Sequence, residues 1–391
     1  MSAPEGTGKG HCGPTSNSNS NSDSNSDSNS NSNSNSDSNS NSNSNCNSDA
    51  TTSEMDSNAD TPDLEMLCRS GSIPEELPML SEGDYEFKLK IGSGQFSEVF
   101  QVCCRTTGVL RAVKFVRCSN SNIMPLDEIF TSEDPAVREE EVLSYCTKHP
   151  HRNIVHCDGL IFRHGLLGFV LEYANGGSLG EVISLSGLVL PEYLVANIAH
   201  QCLEGLKHLH GGEKKILHRD IKPDNILVSI FEDDEGVDCK LMLTDFNSAR
   251  LNASKTQLTG IGTEAFMSPE RILGKFHSIS SDIWSFGLTI ICCALRRNPI
   301  LDGVGESNRF AVISKILHQP PPTLPEDQFS STFCDFVSQC LVADPEARAP
   351  ASSLLCHPFV SSAKRRSREL ARFLVDADPQ KFKPILQSHL T

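Results

Sequence analysis

The segment HRDIKPDN, from His218 to Asn225, carries the residue types that a phosphoryl-transfer site requires. Asp220 supplies a carboxylate that can accept the proton of an attacking hydroxyl group. Lys222 supplies a positive charge for the migrating phosphate, and Asn225 supplies an amide oxygen for magnesium. All three side chains come from one loop between a helical pattern and the short apolar run ILV. This spacing favours a catalytic loop over a surface loop with accidental charges.

A second carboxylate, Asp245, follows the catalytic loop in the segment LMLTDFNSAR. An apolar strand is expected to deliver Asp245 into the same site as Asn225. The two side chains offer hard oxygen ligands, which suit magnesium held against nucleotide phosphates. An aspartate in a turn after a strand is common by itself. The pairing with the upstream loop is what favours a metal site here.

The segment YEFKLKIGSGQFSEVFQVCC is typical of a strand, a glycine-rich turn and a second strand. Gly92 and Gly94 would let the backbone approach a phosphate closely. Phe96 would cap the tip of the turn, and Val99 would face an adenine ring. A Rossmann dinucleotide site is the rival interpretation, but there the glycine turn opens a helix. The predicted nucleotide-binding residues of this hairpin are Ile91, Gly92, Ser93, Gly94, Gln95, Phe96, Ser97 and Val99.

The next strand-like run, LRAVKFV, places Ala112 and Lys114 on one face because side chains alternate along a strand. A small residue would lie under the base, and the ammonium group would reach the phosphates. The segment DPAVREEEVLSYC predicts a helix with Asp134 as its N-cap. Glu139 is the best candidate to pair with Lys114, although three consecutive glutamates leave the choice open by one position. Residues 117–133 are expected to form an irregular insert.

Two further strands and a polar, glycine-rich link are predicted in NIVHCDGLIFRHGLLGFVLEYANGGSL. Backbone groups from Glu172 to Ala174 are expected to read an adenine-like base, and Leu171 to control access to the pocket behind it. From Pro191 to Phe359 the pattern is largely helical. The predicted fold class is therefore α+β, with a small β-rich lobe and a larger, mainly α-helical lobe.

Composition limits the classes of function. Of the 391 residues, the segment 1–60 is mostly Ser and Asn and is expected to be a disordered tail, with a tether at 61–84. A formal net charge of −16 argues against a nucleic-acid or membrane-surface binder. The apolar run FGLTIICCAL is too short to span a bilayer. Many of the 15 cysteines lie in apolar runs, as reduced core cysteines do, so a cytoplasmic location is expected.

Two carboxylates outside the catalytic loop are expected to be buried. Asp282, in SDIWSFGL, would need partners, and the backbone near His218 and Arg219 could supply them. Glu270 and Arg348 could form another buried pair. Between DFN and SPE lies a polar stretch whose hydroxyl groups can receive phosphate, which orders such loops through new bonds to arginine.

These motifs, in this order, resemble the eukaryotic protein kinases over about residues 85–359: IGSGQFSEV, AVK, Glu139, HRDIKPDN, DFN, SPE and SDIW. The resemblance implies ATP and Mg²⁺ as cofactors and Asp220 as the catalytic base. It also implies that Lys114, paired with Glu139, contacts phosphate, and that Asn225 and Asp245 are the metal ligands. Lys222 looks like the lysine of serine/threonine and dual-specificity kinases. Residues 360–391 would be a basic extension that either docks a MAP kinase or packs as a terminal helix.

Within the superfamily, GTEAFMSPERI and SISSDIWSFGLTI are similar to the MAP kinase kinases and their sterile-type relatives. That similarity implies a MAP kinase as substrate. It also implies an upstream kinase that phosphorylates Thr259 and either Ser254 or Thr256. A Wee1-like or other serine/threonine kinase outside MAP kinase cascades is an alternative.

A pseudokinase scaffold is the other alternative. Ser97 replaces the third glycine of the nucleotide loop, and Asn247 replaces the glycine that follows Asp-Phe in the family. That glycine permits unusual backbone angles, and asparagine tolerates positive φ better than most residues. The groups that bind metal and accept the proton are all present, which favours an active enzyme.

Overall fold

The structure is a computed structural model that describes residues 77–94, 97–116, 135–185, 187–251, 263–275, 278–304 and 308–382. Several predicted features lie outside these residues: the Ser/Asn tail, most of the tether, the insert 117–133, Asp134, Gln95, Phe96, Ser254, Thr256 and Thr259.

The N-terminal lobe is built on a five-stranded antiparallel sheet in the order β1-β2-β3-β5-β4. Its strands are β1 (Tyr85–Ser93), β2 (Ser97–Cys104), β3 (Leu110–Val116), β4 (Cys157–Arg163) and β5 (Leu166–Glu172). Helix α1 (Pro135–Lys148) packs on the sheet and buries Val142 and Leu143 in the main core. The two predicted strands of the glycine-rich hairpin are confirmed as β1 and β2.

The alternation of β3 separates two apolar clusters. Ala112 and Val116 belong to the main core, whereas Val113 and Phe115 belong to a second cluster on the opposite face of the sheet. Successive side chains of a strand point to opposite faces, so Lys114 shares the face of Ala112. The shared face of Ala112 and Lys114 is what the sequence pattern predicted.

The C-terminal lobe is mainly helical. Its helices are α2 (Leu179–Ser184), α3 (Glu192–Gly211), α4 (Pro269–Ile272), α5 (Ser280–Leu295), α6 (Arg309–His318), α7 (Ser331–Cys340), α8 (Ala351–Leu354), α9 (Pro358–Ser361) and α10 (Ser367–Ala377). Its strands form two short antiparallel pairs, β6 (Ile216–Leu217) with β9 (Arg250–Leu251) and β7 (Ile226–Asp233) with β8 (Gly236–Leu243). The α+β fold class with a β-rich and a helical lobe is confirmed.

Helix α5 is buried around its whole circumference from Ser280 to Cys293, so it forms the centre of the helical lobe. Its apolar sequence is explained by this burial. Among the helices of the described ranges, none is both long and apolar enough to cross a membrane. The described cysteines are all free thiols.

Residues 360–382 pack against the helical lobe. Leu370, Ala371 and Leu374 on α10 are buried in the main core. Arg368 ties the helix to the β7–β8 turn, since its guanidinium donates to Asp233 at 2.7 Å and to the carbonyl oxygen of Gly236 at 2.9 Å. Of the two interpretations of this segment, the structure therefore shows the packed terminal helix.

Candidate active site

Lys114 contacts one carboxylate in its own lobe and one in the helical lobe. Its Nζ lies 2.6 Å from Glu139 Oε1 on α1 and 2.8 Å from Asp245 Oδ1, which follows β8. Lys114 is 6% exposed and Glu139 is 1% exposed. The predicted pairing of Lys114 with Glu139 is confirmed, and the choice among the three consecutive glutamates is resolved in favour of the first. The bond to Asp245 was not predicted.

The charges in this group depend on one another. Burial by itself lowers the pKa of Lys114, but Glu139 and Asp245 outweigh burial and raise that pKa. Burial also raises the pKa of Asp245, but Lys114 outweighs it, so the pKa of Asp245 lies below its ordinary value. For Glu139, burial dominates and the pKa is raised. A cation is therefore held firmly beside the anionic Asp245, in the cleft between the lobes.

Asp220 is held in the catalytic loop by its own neighbours. Lys222 Nζ donates to Asp220 Oδ2 at 2.8 Å, and Asn225 Nδ2 donates to the same oxygen at 2.8 Å. The other oxygen, Oδ1, is buried and has no hydrogen-bond partner among the described residues. A buried carboxylate oxygen without a donor is an acceptor available to a substrate hydroxyl group.

Backbone contacts bring the candidate metal ligands together. The N–H of Thr244 donates to the carbonyl oxygen of Asn225 at 3.1 Å, which fixes the start of β7 beside the residue that follows β8. Asp245 itself adopts a left-handed conformation, with φ of 67°. Phe246 is fully buried, and its ring centroid lies 5.1 Å from that of His218. This packing fixes the direction in which Asp245 enters the cleft.

Asn225 and Asp245 fit magnesium when a nucleotide is also present. Asn225 directs its amide nitrogen to Asp220, so its amide oxygen faces away from that residue. Within the described ranges, no cluster of three or more His, Cys, Asp or Glu side chains could hold a metal without further ligands. Magnesium commonly takes one or two protein oxygens and completes its shell with phosphate and water. The donor set therefore suits a metal that arrives with a nucleotide.

Asp282 holds the backbone at the start of the catalytic loop through hydrogen bonds. Its two oxygens accept hydrogen bonds from the N–H of His218 at 2.9 Å and the N–H of Arg219 at 2.8 Å. His210 Nε2 lies 3.0 Å from the first of these oxygens. The predicted burial of Asp282 against the backbone of His218 and Arg219 is confirmed. Arg219 has φ of 70°, a backbone conformation that is costly for a non-glycine residue. The hydrogen bonds to Asp282 stabilise the loop at this point.

Replacing Asp282 by asparagine is expected to lower the free energy of unfolding by about 1.5–3 kcal/mol at pH 7, because hydrogen bonds to a charged group are lost. Burial raises the pKa of Asp282, but the hydrogen bond from His210 and the neighbouring histidines outweigh it and lower that pKa. A lowered pKa contributes stability above the unfolded value of 3.8 that is lost as the pH falls further. Thermal unfolding at several pH values measures the difference between the two proteins. The difference in stability between the two proteins should shrink below pH 3.8. A difference that stays constant with pH would contradict the role of Asp282 as a buried, ionised acceptor.

The glycine-rich hairpin faces the same cleft. Val99 pairs with Lys114 across β2 and β3, and Gly92 pairs with Val99 across β1 and β2. A Cβ atom at Gly92 would lie 3.4 Å from the Cβ of Val99, in van der Waals contact with it. The N–H of Gly94 donates to the carbonyl oxygen of Ser97 at 2.8 Å and closes the turn. Ile91 is 39% exposed at the end of this surface.

The link between the lobes begins at the end of β5. Leu171 pairs with Ala112 in the sheet, and both are buried. The N–H of Glu172 donates to the carbonyl oxygen of His156 at 2.9 Å. After Ala174, the side chain of Asn175 exchanges two hydrogen bonds with the backbone of Ile230 on β7, at 2.7 and 2.8 Å. The link is thus fastened to both lobes, and Asn175 is a positioning residue that the sequence did not reveal.

Asn247 does not have the backbone angle that was expected. It lies in a single 3₁₀ turn, Phe246–Ser248, and the positive φ belongs to Asp245, two residues earlier. The expectation that asparagine is tolerated here through positive φ is therefore wrong for this conformation. The side-chain oxygen of Asn247 is buried and has no partner among the described residues.

Buried arginines complete the helical side of the site. Arg348 forms a two-pronged ion pair with Glu270, at 2.8 and 3.1 Å, as predicted. Arg271 Nη1 donates to the carbonyl oxygen of Arg219 at 2.6 Å. This second contact was missed because nothing in the sequence distinguishes Arg271 from an exposed helix arginine.

A β-rich lobe that holds Lys114 and Glu139 opposite a helical lobe that holds Asp220 and Asp245 defines the protein kinase fold. The protein kinase domain family matches residues 85–360. The chain therefore belongs to the protein kinase family.

Within that family, the chain is similar to mitogen-activated protein kinase kinases. It is 32% identical to mitogen-activated protein kinase kinase 1 of Arabidopsis thaliana over 319 residues, which cover 80% of this chain and 84% of the relative. It is 33% identical to mitogen-activated protein kinase kinase SIPKK of Nicotiana tabacum over 301 residues, which cover 76% and 79%. It is 33% identical to mitogen-activated protein kinase kinase 1c of Physcomitrium patens over 300 residues, which cover 75% and 82%. The predicted similarity to this group is confirmed.

Proposed function

We propose that the chain is an ATP- and magnesium-dependent, dual-specificity MAP kinase kinase that phosphorylates the activation loop of a MAP kinase. The contact that supports this most directly is the bridge of Lys114 Nζ to Glu139 and Asp245. It places a fixed cation beside the candidate metal ligand at the point where the two lobes meet. The free thiols of the described residues fit a reducing compartment such as the cytoplasm.

Positioning and electrostatics would carry the reaction. ATP would supply the phosphoryl group, and magnesium would neutralise charge on its phosphates. Lys114 would bind phosphate oxygens, while the hairpin of β1 and β2 would cover them and the link at Glu172 to Ala174 would hold the base. Asp220 Oδ1 would accept the hydrogen of the substrate hydroxyl group and orient its oxygen for attack. Lys222, 2.8 Å from Asp220, would hold that carboxylate in position and lie near the transferred charge.

An arginine cluster supports activation by an upstream kinase. Burial, the largest cause, and the charges of Arg271, Arg250 and Arg138 together lower the pKa of Arg219 to about 9. Such a gathering of like charges is stabilised when a phosphate is added nearby. Thr259, with Ser254 or Thr256, would receive that phosphate in the segment between Leu251 and Thr263.

The substrate class rests on the relatives rather than on the site. The three relatives named above are all mitogen-activated protein kinase kinases, and each aligns over at least three quarters of this chain. The test is a panel of catalytically inactive MAP kinases incubated with the activated chain, ATP and magnesium. Transfer to one or a few of them supports the proposal. Transfer to a generic serine/threonine substrate but to no member of the panel would place the chain outside MAP kinase cascades.

Asn247 favours one alternative function, a pseudokinase scaffold, because its buried oxygen lacks a partner at a position that the family gives to glycine. The two functions differ in one measurement. A scaffold would show a magnesium-dependent thermal shift with ATP and no transfer of the γ-phosphate after upstream phosphorylation. An active enzyme would show both.

Replacing Lys114 by methionine is expected to lower the rate of phosphoryl transfer at least about a hundredfold, because a preorganised charge at the phosphates is lost. Initial rates at several ATP concentrations measure the loss, and circular dichroism checks that the chain stays folded. Lys214→Met is the matched control, since Lys214 is exposed and, among the described residues, forms no closer ion pair than the long, exposed contact of 4.0 Å with Glu141. Wild-type rates for the Lys114 variant would rule out this role.

A further inference from the structure

A cavity of about 300 Å³ opens in the C-terminal lobe between α3 and the segment that leads into α10. None of its lining residues belongs to the candidate active site. They come from the chain before β4, from α3 and from the start of α10: His151, Arg152, Asn153, Asn197, His200, Gln201, Glu204, Lys364 and Ser367.

The floor of the cavity is a rigid network of buried amides. Asn197 Nδ2 donates to the carbonyl oxygen of Ala363 at 2.9 Å, and Gln201 Nε2 donates to Asn197 Oδ1 at 3.0 Å. Asn153 Nδ2 donates to Gln201 Oε1 at 3.2 Å and to the carbonyl oxygen of Leu241 at 2.7 Å. These bonds join α3, β8 and the segment before α10. The shape of the cavity is therefore fixed before any ligand arrives.

His200 lines this rigid cavity without a partner of its own. It is 9% exposed, and its Nδ1 atom is buried with no hydrogen bond. No hydrogen bond to its other ring nitrogen is formed within the described parts of the chain. Buried polar side chains are normally paired, so an unpaired one at a cavity wall points to a missing ligand. A ring N–H of His200 can serve as a donor to that ligand.

The charges that face His200 favour an anion. The lining of the cavity includes two cations, Arg152 and Lys364, and one carboxylate, Glu204, which itself lies 3.9 Å from Lys207. Arg152 and Lys364 lie on the exposed rim, where they can reach an entering group. Their net charge remains positive after Glu204 is counted.

The start of α10 adds backbone donors. The side chain of the N-cap residue, Arg366, forms no capping hydrogen bond. The first hydrogen bond of the helical pattern runs from the N–H of Leu370 to the carbonyl oxygen of Arg366. The three preceding N–H groups, from Ser367 to Glu369, lie at the positive end of an 11-residue helix. Ser367 itself lines the cavity.

We propose that this cavity is a docking site for a phosphoserine or phosphothreonine side chain of a partner protein. A phosphate monoester carries nearly two negative charges and three acceptor oxygens, which match the surplus of cations and donors. The volume is at the lower end for ligand cavities, which fits one phosphorylated side chain better than a nucleotide. The site is independent of catalysis and holds whether or not the chain acts on a MAP kinase.

Fluorescence anisotropy of a labelled, flexible glycine-serine peptide with one central phosphoserine tests the proposal on the full chain. The comparison of variants assigns the binding to this cavity, because the arginines around Arg219 can also attract a phosphate. Binding should saturate, and the unphosphorylated peptide should not bind. Lys364→Glu should weaken binding about tenfold, because a charge-assisted hydrogen bond is replaced by repulsion. Arg365→Glu is the matched control from the adjacent position, and it should change the affinity less than about twofold.

His200→Gln is a second variant that tests the buried donor, and it should also weaken binding. Inorganic phosphate is the competitor that separates a docking site from a site for the free ion. The proposal is supported when the phosphopeptide binds and phosphate displaces it. It is overturned when the chain binds inorganic phosphate but not the phosphopeptide, or when Lys364→Glu and Arg365→Glu affect binding equally.

Discussion

Asp220→Asn is expected to reduce the rate of phosphoryl transfer by about a hundredfold to ten-thousandfold, the range that a positioned general base contributes. The substitution keeps the shape of the side chain and the hydrogen bond from Asn225, but it removes the negative charge. In the unsubstituted chain, Asp220 Oδ1 is buried without a hydrogen-bond partner among the described residues. In the variant, this position no longer carries a carboxylate oxygen that can accept the proton of the substrate hydroxyl group. Initial rates with a MAP kinase substrate measure the effect.

The control for this variant is Asp327→Asn, the same change at an exposed position of the helical lobe. Its transfer rate should match that of the unsubstituted chain. Thermal unfolding checks that the Asp220 variant remains folded. Transfer by that variant at an unchanged rate would remove Asp220 from the mechanism.

Glu270→Ala is expected to lower the free energy of unfolding by about 3–5 kcal/mol, because it leaves a charged guanidinium buried without its anion. The side chain of Arg348 is 0% exposed, and that of Glu270 is 4% exposed. Arg348 also donates to the carbonyl oxygen of Ser280 at 2.7 Å, at the start of α5. The loss should therefore spread to the helix that carries Asp282.

Glu369→Ala is the matched control, since it breaks a pair with Arg366 at 3.0 Å in which both side chains are more than one third exposed. Exposed pairs contribute little, so its midpoint of thermal unfolding should barely change. The Glu270 variant should unfold several degrees lower, by about 2–4 °C for each kcal/mol. Equal midpoints for the two variants would show that the buried pair contributes no more than the exposed one.

The parts of the site that lie within one element or one strand-turn unit could be predicted from the sequence. Strand alternation placed Ala112 and Lys114 on one face, and Glu139 was the best of three candidate glutamates, a choice that only the structure decided. The need of a buried carboxylate for donors predicted the contacts of Asp282 with His218 and Arg219. Each of these follows from a local pattern or from a single physical requirement.

Contacts between distant segments could not be predicted in the same way. The bond from Lys114 to Asp245 joins residues 131 positions apart, and its existence depends on how the two lobes meet. The bonds of Asn175 to Ile230 and of Arg271 to Arg219 depend on the same tertiary arrangement. The backbone angle at Asn247 was misjudged because the positive φ of this turn is taken by Asp245. Phe246 packs against His218 in the same turn, and this contact between distant segments is invisible in the sequence.

Mass spectrometry of a MAP kinase after incubation with the activated chain, ATP and magnesium tests the proposed function most directly. The proposal predicts phosphate on both a threonine and a tyrosine of the substrate's activation loop, and none when Asp220→Asn replaces the unsubstituted chain. Upstream phosphorylation on Thr259 should accompany the gain of activity. Absence of both phosphates across all MAP kinases tested, from a chain that carries its own activating phosphate and binds ATP, would contradict it.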